Sequence, residues 1–77
     1  MGPSGNSQPA LGTALRELRE EKKLSQEMLG QRASVTARVV RDIEKGRGNP
    51  TWATVVAILA GMDVSLAELA KRIEGKS

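Results

Sequence analysis

Five of the 12 basic residues fall in one stretch: Arg32, Arg38, Arg41, Lys45 and Arg47, set against Asp42 and Glu44. Five minus two is +3, which is the net charge of the whole chain, so the cations and anions elsewhere cancel. Any pull the chain exerts on a charged partner comes from residues 32–47, and it is a pull on anions. Arginine suits that task, because its planar fork can bond two acceptors of one partner at once. Phosphate oxygens and the O6 and N7 edge of guanine are both of that shape. A solvated basic helix face would carry the same charges, and charge alone does not choose between the two readings.

Catalysis finds no such support. The chain has no Cys and no His, so it lacks a thiolate, a disulfide framework and the usual near-neutral general base. The commonest metal ligands are missing with them. No clustered carboxylates take their place, and no nucleophile–base pair can be assembled. The expectation is a binding protein with no metal and no cofactor. Trp52 is the one aromatic residue. It reads as core filling rather than as a stacking platform, since nothing interleaves aromatic with basic residues as single-strand binders do.

The elements that must position the basic stretch are all helical. Leu11, Leu15 and Leu18 recur at i, i+4 and i+7 between charged residues, and Lys22 and Lys23 suit a helix C-terminus. Ser25 is a helix N-cap, with Leu24 and Leu29 at the apolar staple positions around it, which predicts a second helix over about 26–33. Thr36 repeats the device with Val35 and Val40, and Gly46 ends the third helix. Only Ser34 and Val35 separate the second helix from the cap of the third, so the two must meet at a sharp, fixed angle. Val40 and Ile43 give the third helix its buried side. Ala37, Arg38, Arg41, Asp42 and Lys45 face outward. Arg47-Gly48-Asn49-Pro50 is a turn. Thr51 caps a fourth helix carrying Trp52, Val55, Ile58, Leu59 and Met62 at helical spacing. Ser65 and Glu68 form a capping box for a fifth that runs to about Ile73, with Val64 and Leu69 as its staple. The predicted core is Leu15, Leu18, Leu29, Val40, Ile43, Val55, Leu59 and Leu69.

The stretch Leu24–Gly46, LSQEMLGQRASVTARVVRDIEKG, resembles the helix-turn-helix of the Xre/Cro/phage-repressor-like regulators. LGTALRELREEKKLSQEML before it and AILAGMDVSLAEL after it resemble the same family's flanking helices, so the likeness covers about Leu11 to Ile73. It implies an all-α, compact five-helix lambda-repressor-like domain that binds double-stranded DNA and regulates transcription. By match to the family pattern, Ala37, Arg38 and Asp42 stand where base edges are read, with Arg41 beside them. Ala37 can touch a thymine methyl. Asp42 can accept from cytosine N4, or it can pair with Arg38 or Arg41. Lys45, Arg47 and Asn49 resemble the loop that grips the DNA backbone. Gln26 and Thr36, at helix N-termini, suit phosphates, while Arg32 reads as solvated surface. Arg19 and Glu44 occupy the positions of a structural ion pair in look-alike domains. The family has Ala where Gly30 stands, and Gly where Ser34 and Asp63 stand. Helix three must cross helix two closely, and Gly30, Ala33 and Ser34 are the small residues expected to allow it; Gly30 inside a helix is still expected to cost about 0.5–1 kcal/mol relative to Ala, and Ser34 to be strained.

The sequence divides into residues 1–9, read as a disordered arm or a remnant of cloning, a domain over 10–74, and a frayed tail at 75–77. A core this small gains from dimerisation. The stripe Leu66, Ala70 and Ile73, with Met62 near its start, is the expected face for a homodimer on a two-fold operator; packing within one chain is the competing use of that stripe. The second functional class is an interaction module, either an antitoxin bound to its toxin or a bridging coactivator. No apolar run approaches the roughly 18 residues of a membrane-spanning helix, no signal peptide is evident, and a cytoplasmic, nucleoid-associated protein is the expectation.

Overall fold

The computed structural model describes residues 8–75, and every regular element among them is a helix. These are α1 (Gln8–Glu21), α2 (Gln26–Ala33), α3 (Ala37–Glu44), α4 (Trp52–Met62) and α5 (Leu66–Glu74). Helix α1 begins three residues ahead of Leu11, the expected start of the helical pattern, and so takes in two residues of the expected arm, with Pro9 in its first turn, where a proline's missing N–H is no loss. The rest of the expected arm and tail, residues 1–7 and 76–77, lies outside the described residues.

Four hydroxyl side chains start four of the helices. Ser25 accepts from the Met28 N–H at 3.0 Å, Thr36 from Val39 at 3.2 Å, Thr51 from Thr54 at 3.1 Å and Ser65 from Glu68 at 3.0 Å. Each satisfies a backbone donor that has no partner within its helix.

The helix ends share a second device. Lys23, Ser34 and Asp63 all lie in the left-handed region, at φ of 60°, 61° and 59°. The residue after each donates back into the helix it has left: Leu24 to Arg19 O, Val35 to Gly30 O and Val64 to Leu59 O. This is the Schellman pattern, normally built on glycine. Helix α3 ends the same way on Gly46, with Arg47 donating to Asp42 O at 2.8 Å. The strain expected at Ser34 is present, and Lys23 and Asp63 share it.

The apolar residues that follow the left-handed turns are also the staples of the next helix. Leu24, Val64, Leu29, Val40 and Leu69 are buried, and Val35 packs against them. One residue therefore closes one helix and anchors the next. Helix α2 packs on α3 and α4, and α1 packs on α3 and α5. Leu15, Leu18, Leu29, Val40, Ile58 and Met62 fill the centre. All eight predicted core residues are buried.

Glycines mark the closest crossings. A Cβ on Gly12 would lie 2.3 Å from Ile43 O, so α1 meets the end of α3 backbone to backbone. A Cβ on Gly30 would lie 2.7 Å from Val35 O. The close crossing expected at Gly30 is present, and it overturns the expected disadvantage against alanine: the α2–α3 turn folds too tightly over Gly30 for a Cβ, and that closeness offsets the propensity cost.

Two further expectations are corrected. Trp52 is 64% exposed and fills no core. It sits in the first turn of α4, whereas α2 crosses α4 near Gly61, whose neighbours are Leu29 and Arg32. The Trp52 end of α4 lies away from that crossing. Met62 is 1% exposed, because it points inward with Val55, Ile58 and Leu59. It is therefore not part of a dimer face. Among the described residues no single helix is long and apolar enough to cross a membrane.

Candidate nucleic-acid interface

Helix α3 is the most sharply two-sided element. Val40 and Ile43 bury one side, and Arg38, Arg41 and Lys45 project from the other into solvent. Ala37 and Asp42 are half-buried on its flanks. Among the described residues none of Arg38, Arg41, Asp42 or Lys45 makes a side-chain ion pair or hydrogen bond. The pairing of Asp42 with Arg38 or Arg41, one of the two expected uses of that carboxylate, is thus not realised.

What holds α3 at its angle is a small network behind it. Arg19 Nε donates to Glu44 Oε2 at 2.6 Å, and Arg19 Nη2 to Glu44 Oε1 at 3.1 Å. Arg19 Nη1 donates to the Leu24 carbonyl at 2.7 Å. Gln26 Nε2 joins from the start of α2, 3.1 Å from Glu44 Oε1. The side chains of Arg19 and Glu44 are 11% and 4% exposed. In this setting the hydrogen bonding of Arg19 to Glu44 outweighs burial and holds the Arg19 guanidinium above its ordinary pKa. The expected structural pair is present: Glu44 holds α3 to α1 and α2, and Arg19 holds the α1–α2 turn.

Two clefts flank α3. The first, about 330 Å³, is lined by Arg19, Ser25, Gln26, Glu27, Ala37 and Arg41. The second, about 250 Å³, is lined by Val39, Asp42, Ile43 and the segment Arg47–Thr51 with Thr54. Of the expected phosphate ligands, Gln26 lines the first and Arg47 and Asn49 the second, while Thr36 and Lys45 line neither. Gln26 spends one amide N–H on Glu44, which leaves its second amide hydrogen and its backbone N–H at the α2 terminus. Thr36 uses its oxygen as a cap, and its hydroxyl hydrogen is still available. Lys45, Arg47 and Asn49 are exposed in a row past the end of α3. Arg32 lies apart from them and donates to the Gly61 carbonyl at 3.4 Å, bracing α2 on α4.

Sequence reasoning did not reach Val39, which is 36% exposed on the outer flank of α3, or the part Gln26 plays behind Glu44. Nor did it foresee that Arg72 joins α5 to α1 through Glu21 at 2.5 Å and Glu17 at 3.4 Å. Only the odd spacing of Val39, off the Val40–Ile43 side, could have signalled its exposure.

Residues 10–71 match the model of a helix-turn-helix domain family. The chain belongs to that family. Among curated relatives it is 27% identical over 59 residues to the immunity repressor protein of Bacillus phage phi105. The alignment takes in 77% of this chain and 41% of the repressor, so the chain spans less than half of that relative's length. Among solved structures, the restriction-modification controller protein C.AhdI from Aeromonas hydrophila is 31% identical with a TM-score of 0.78, over 80% of this chain and 94% of that one. The clp gene regulator ClgR from C. glutamicum shares the fold, with a TM-score of 0.86 at 23% identity, over 97% and 95% of the two chains.

Proposed function

We propose that this chain is a sequence-specific regulator that lays α3 in the major groove of double-stranded DNA and binds a two-fold operator as a homodimer. The observation that carries this is the unpaired outward row Arg38, Arg41 and Lys45 on a helix locked from behind by Arg19 and Glu44. A helix of this length fits the major groove, with its N-terminal half nearest the bases. Ala37, Arg38, Arg41 and Asp42 then stand at base edges. Gln26 and Thr36 on one side, and Lys45, Arg47 and Asn49 on the other, grip phosphates and fix the register.

The dimer face is drawn from Leu66, Ala70 and Ile73 of α5, with Trp52 and Val56 of α4. Leu66 is 48% and Val56 43% exposed, and α4 carries no charged residue. A helix apolar all round requires cover on its second side, and an uncharged face can meet its own copy without like-charge repulsion. The same surface would suit a protein partner, and an interaction module is the second reading.

Selection of bound sequences from a random duplex library tests the choice. An enriched, two-fold motif supports the operator reading. A library with no enriched motif would move the reading to the interaction module.

A further inference from the structure

We infer that Val39 reads a thymine through its C5-methyl group, as a specificity contact beside Arg38. The inference rests on the groove docking proposed above. Of the four apolar side chains on α3, Val40 and Ile43 are buried and Ala37 is half-buried, whereas Val39 is 36% exposed. Val39 is not among the residues packed against the hydrophobic core. A β-branched residue is a mediocre helix former at a solvent position, and the Val39 backbone N–H, capped by Thr36, needs no particular side chain.

Its place on the helix is specific. Val39 follows Arg38 by 100° of helical turn, on the flank away from Ala37. It lines the cleft that also holds Asp42, Arg47 and Asn49, while Ala37 lies in the opposite cleft with Gln26 and Arg41. Ile43 and Pro50 line the same cleft, and the isopropyl group of Val39 can offer a partner only apolar contact. In the major groove the thymine C5-methyl is the one apolar feature that distinguishes a base pair. Ala37, expected to touch such a methyl, has a single carbon and is half-covered. Val39 reaches further and is the more exposed of the two.

Replacing thymine by deoxyuridine removes that methyl and leaves every hydrogen-bonding group in place. In the selected operator, thymines are replaced one symmetric pair at a time, and binding is measured for the full chain and for Val39→Ala. One methyl taken from water corresponds to about a fourfold change in affinity. One thymine position per half-site should therefore weaken wild-type binding about fourfold per half-site on conversion to deoxyuridine. Val39→Ala should weaken binding to the thymine operator by a similar factor and lose its sensitivity at that position alone. An unchanged melting temperature for Val39→Ala shows that the effect is not a fold defect. If the operator binds but no thymine position loses its sensitivity in Val39→Ala, Val39 is not a reader. If selection returns no operator, the docking itself is wrong and the role of Val39 falls with it.

Discussion

Arg19 and Glu44 stand 25 residues apart in the chain and are joined by two hydrogen bonds of 2.6 and 3.1 Å. Arg19 leaves α1, and Glu44 is the last residue of α3, the helix that carries the exposed cations. Removing one partner strands a charge in a nearly closed site, which costs on the order of 3 kcal/mol. A domain of about 68 residues has only about 3–10 kcal/mol in total. Arg19→Ala should therefore leave a marginal protein in urea unfolding, with loss of DNA binding in proportion to the unfolded fraction. A loss below about 0.5 kcal/mol would show the pair to be dispensable.

The left-handed helix ends offer gains in stability. Ser34→Gly and Asp63→Gly should each stabilise the fold by about 0.5–1 kcal/mol, since glycine adopts positive φ without the Cβ penalty. Asp63 also places a negative charge at the negative end of α4. Each substitution should raise the melting temperature by a few degrees. Gly30→Ala should do the opposite, because its Cβ would press on Val35 O. Equal melting temperatures for Gly30→Ala and the parent would contradict that close approach.

The Arg72–Glu21 contact should appear in the acid limb of stability. Hydrogen bonding to Arg72 holds the Glu21 carboxyl below the ordinary glutamate range. A depressed carboxylate pKa stabilises the fold above the unfolded value of about 4.3 and loses that contribution as pH falls through the folded value. Thermal melts taken downward from pH ~5 should fall more steeply for the wild type than for Arg72→Ala. Parallel curves would show that the contact has no thermodynamic weight.

Self-association can be followed through Trp52, the one aromatic residue. Its emission should shift to the blue with rising protein concentration if the exposed α4 face is covered in the dimer. Leu66→Asp should weaken association and operator binding together. It is a cleaner probe than Ile73→Asp, because Ile73 also packs against the core of its own chain. Sedimentation showing the same monomer for both proteins would remove α5 from the interface.

The framework was legible because it repeats. A polar residue, an apolar residue and a hydroxyl cap recur as Lys23-Leu24-Ser25, Ser34-Val35-Thr36 and Asp63-Val64-Ser65. The caps and staples in these triplets could be read from residue type and spacing. The left-handed turn at Lys23 could not, because lysine carries no local signal for positive φ. Trp52 and Met62 were misplaced for a related reason. Both fit the apolar period of α4, but period does not say how far the covering helix extends. The outward face of α3 was legible from Val40 and Ile43. The use of Gln26 behind Glu44 was not, since 18 residues separate them and only the fold brings them together.

Arg38 and Arg47 separate base reading from backbone gripping, and that difference is the centre of the functional proposal. The decisive measurement is competition binding of Arg38→Ala and Arg47→Ala to the selected operator and to scrambled DNA over a range of salt. Groove docking requires Arg38→Ala to cost about 1–3 kcal/mol on the operator, less on scrambled DNA, and to relax preference at one base pair per half-site. It requires Arg47→Ala to weaken both DNAs by similar factors. The log–log salt slope should be roughly −4 for the dimer, from Lys45 and Arg47 of each subunit, and Arg47→Ala should flatten it by about one unit per subunit. Equal losses on operator and scrambled DNA for Arg38→Ala, or a salt slope near zero, would contradict the placement of α3 in the groove.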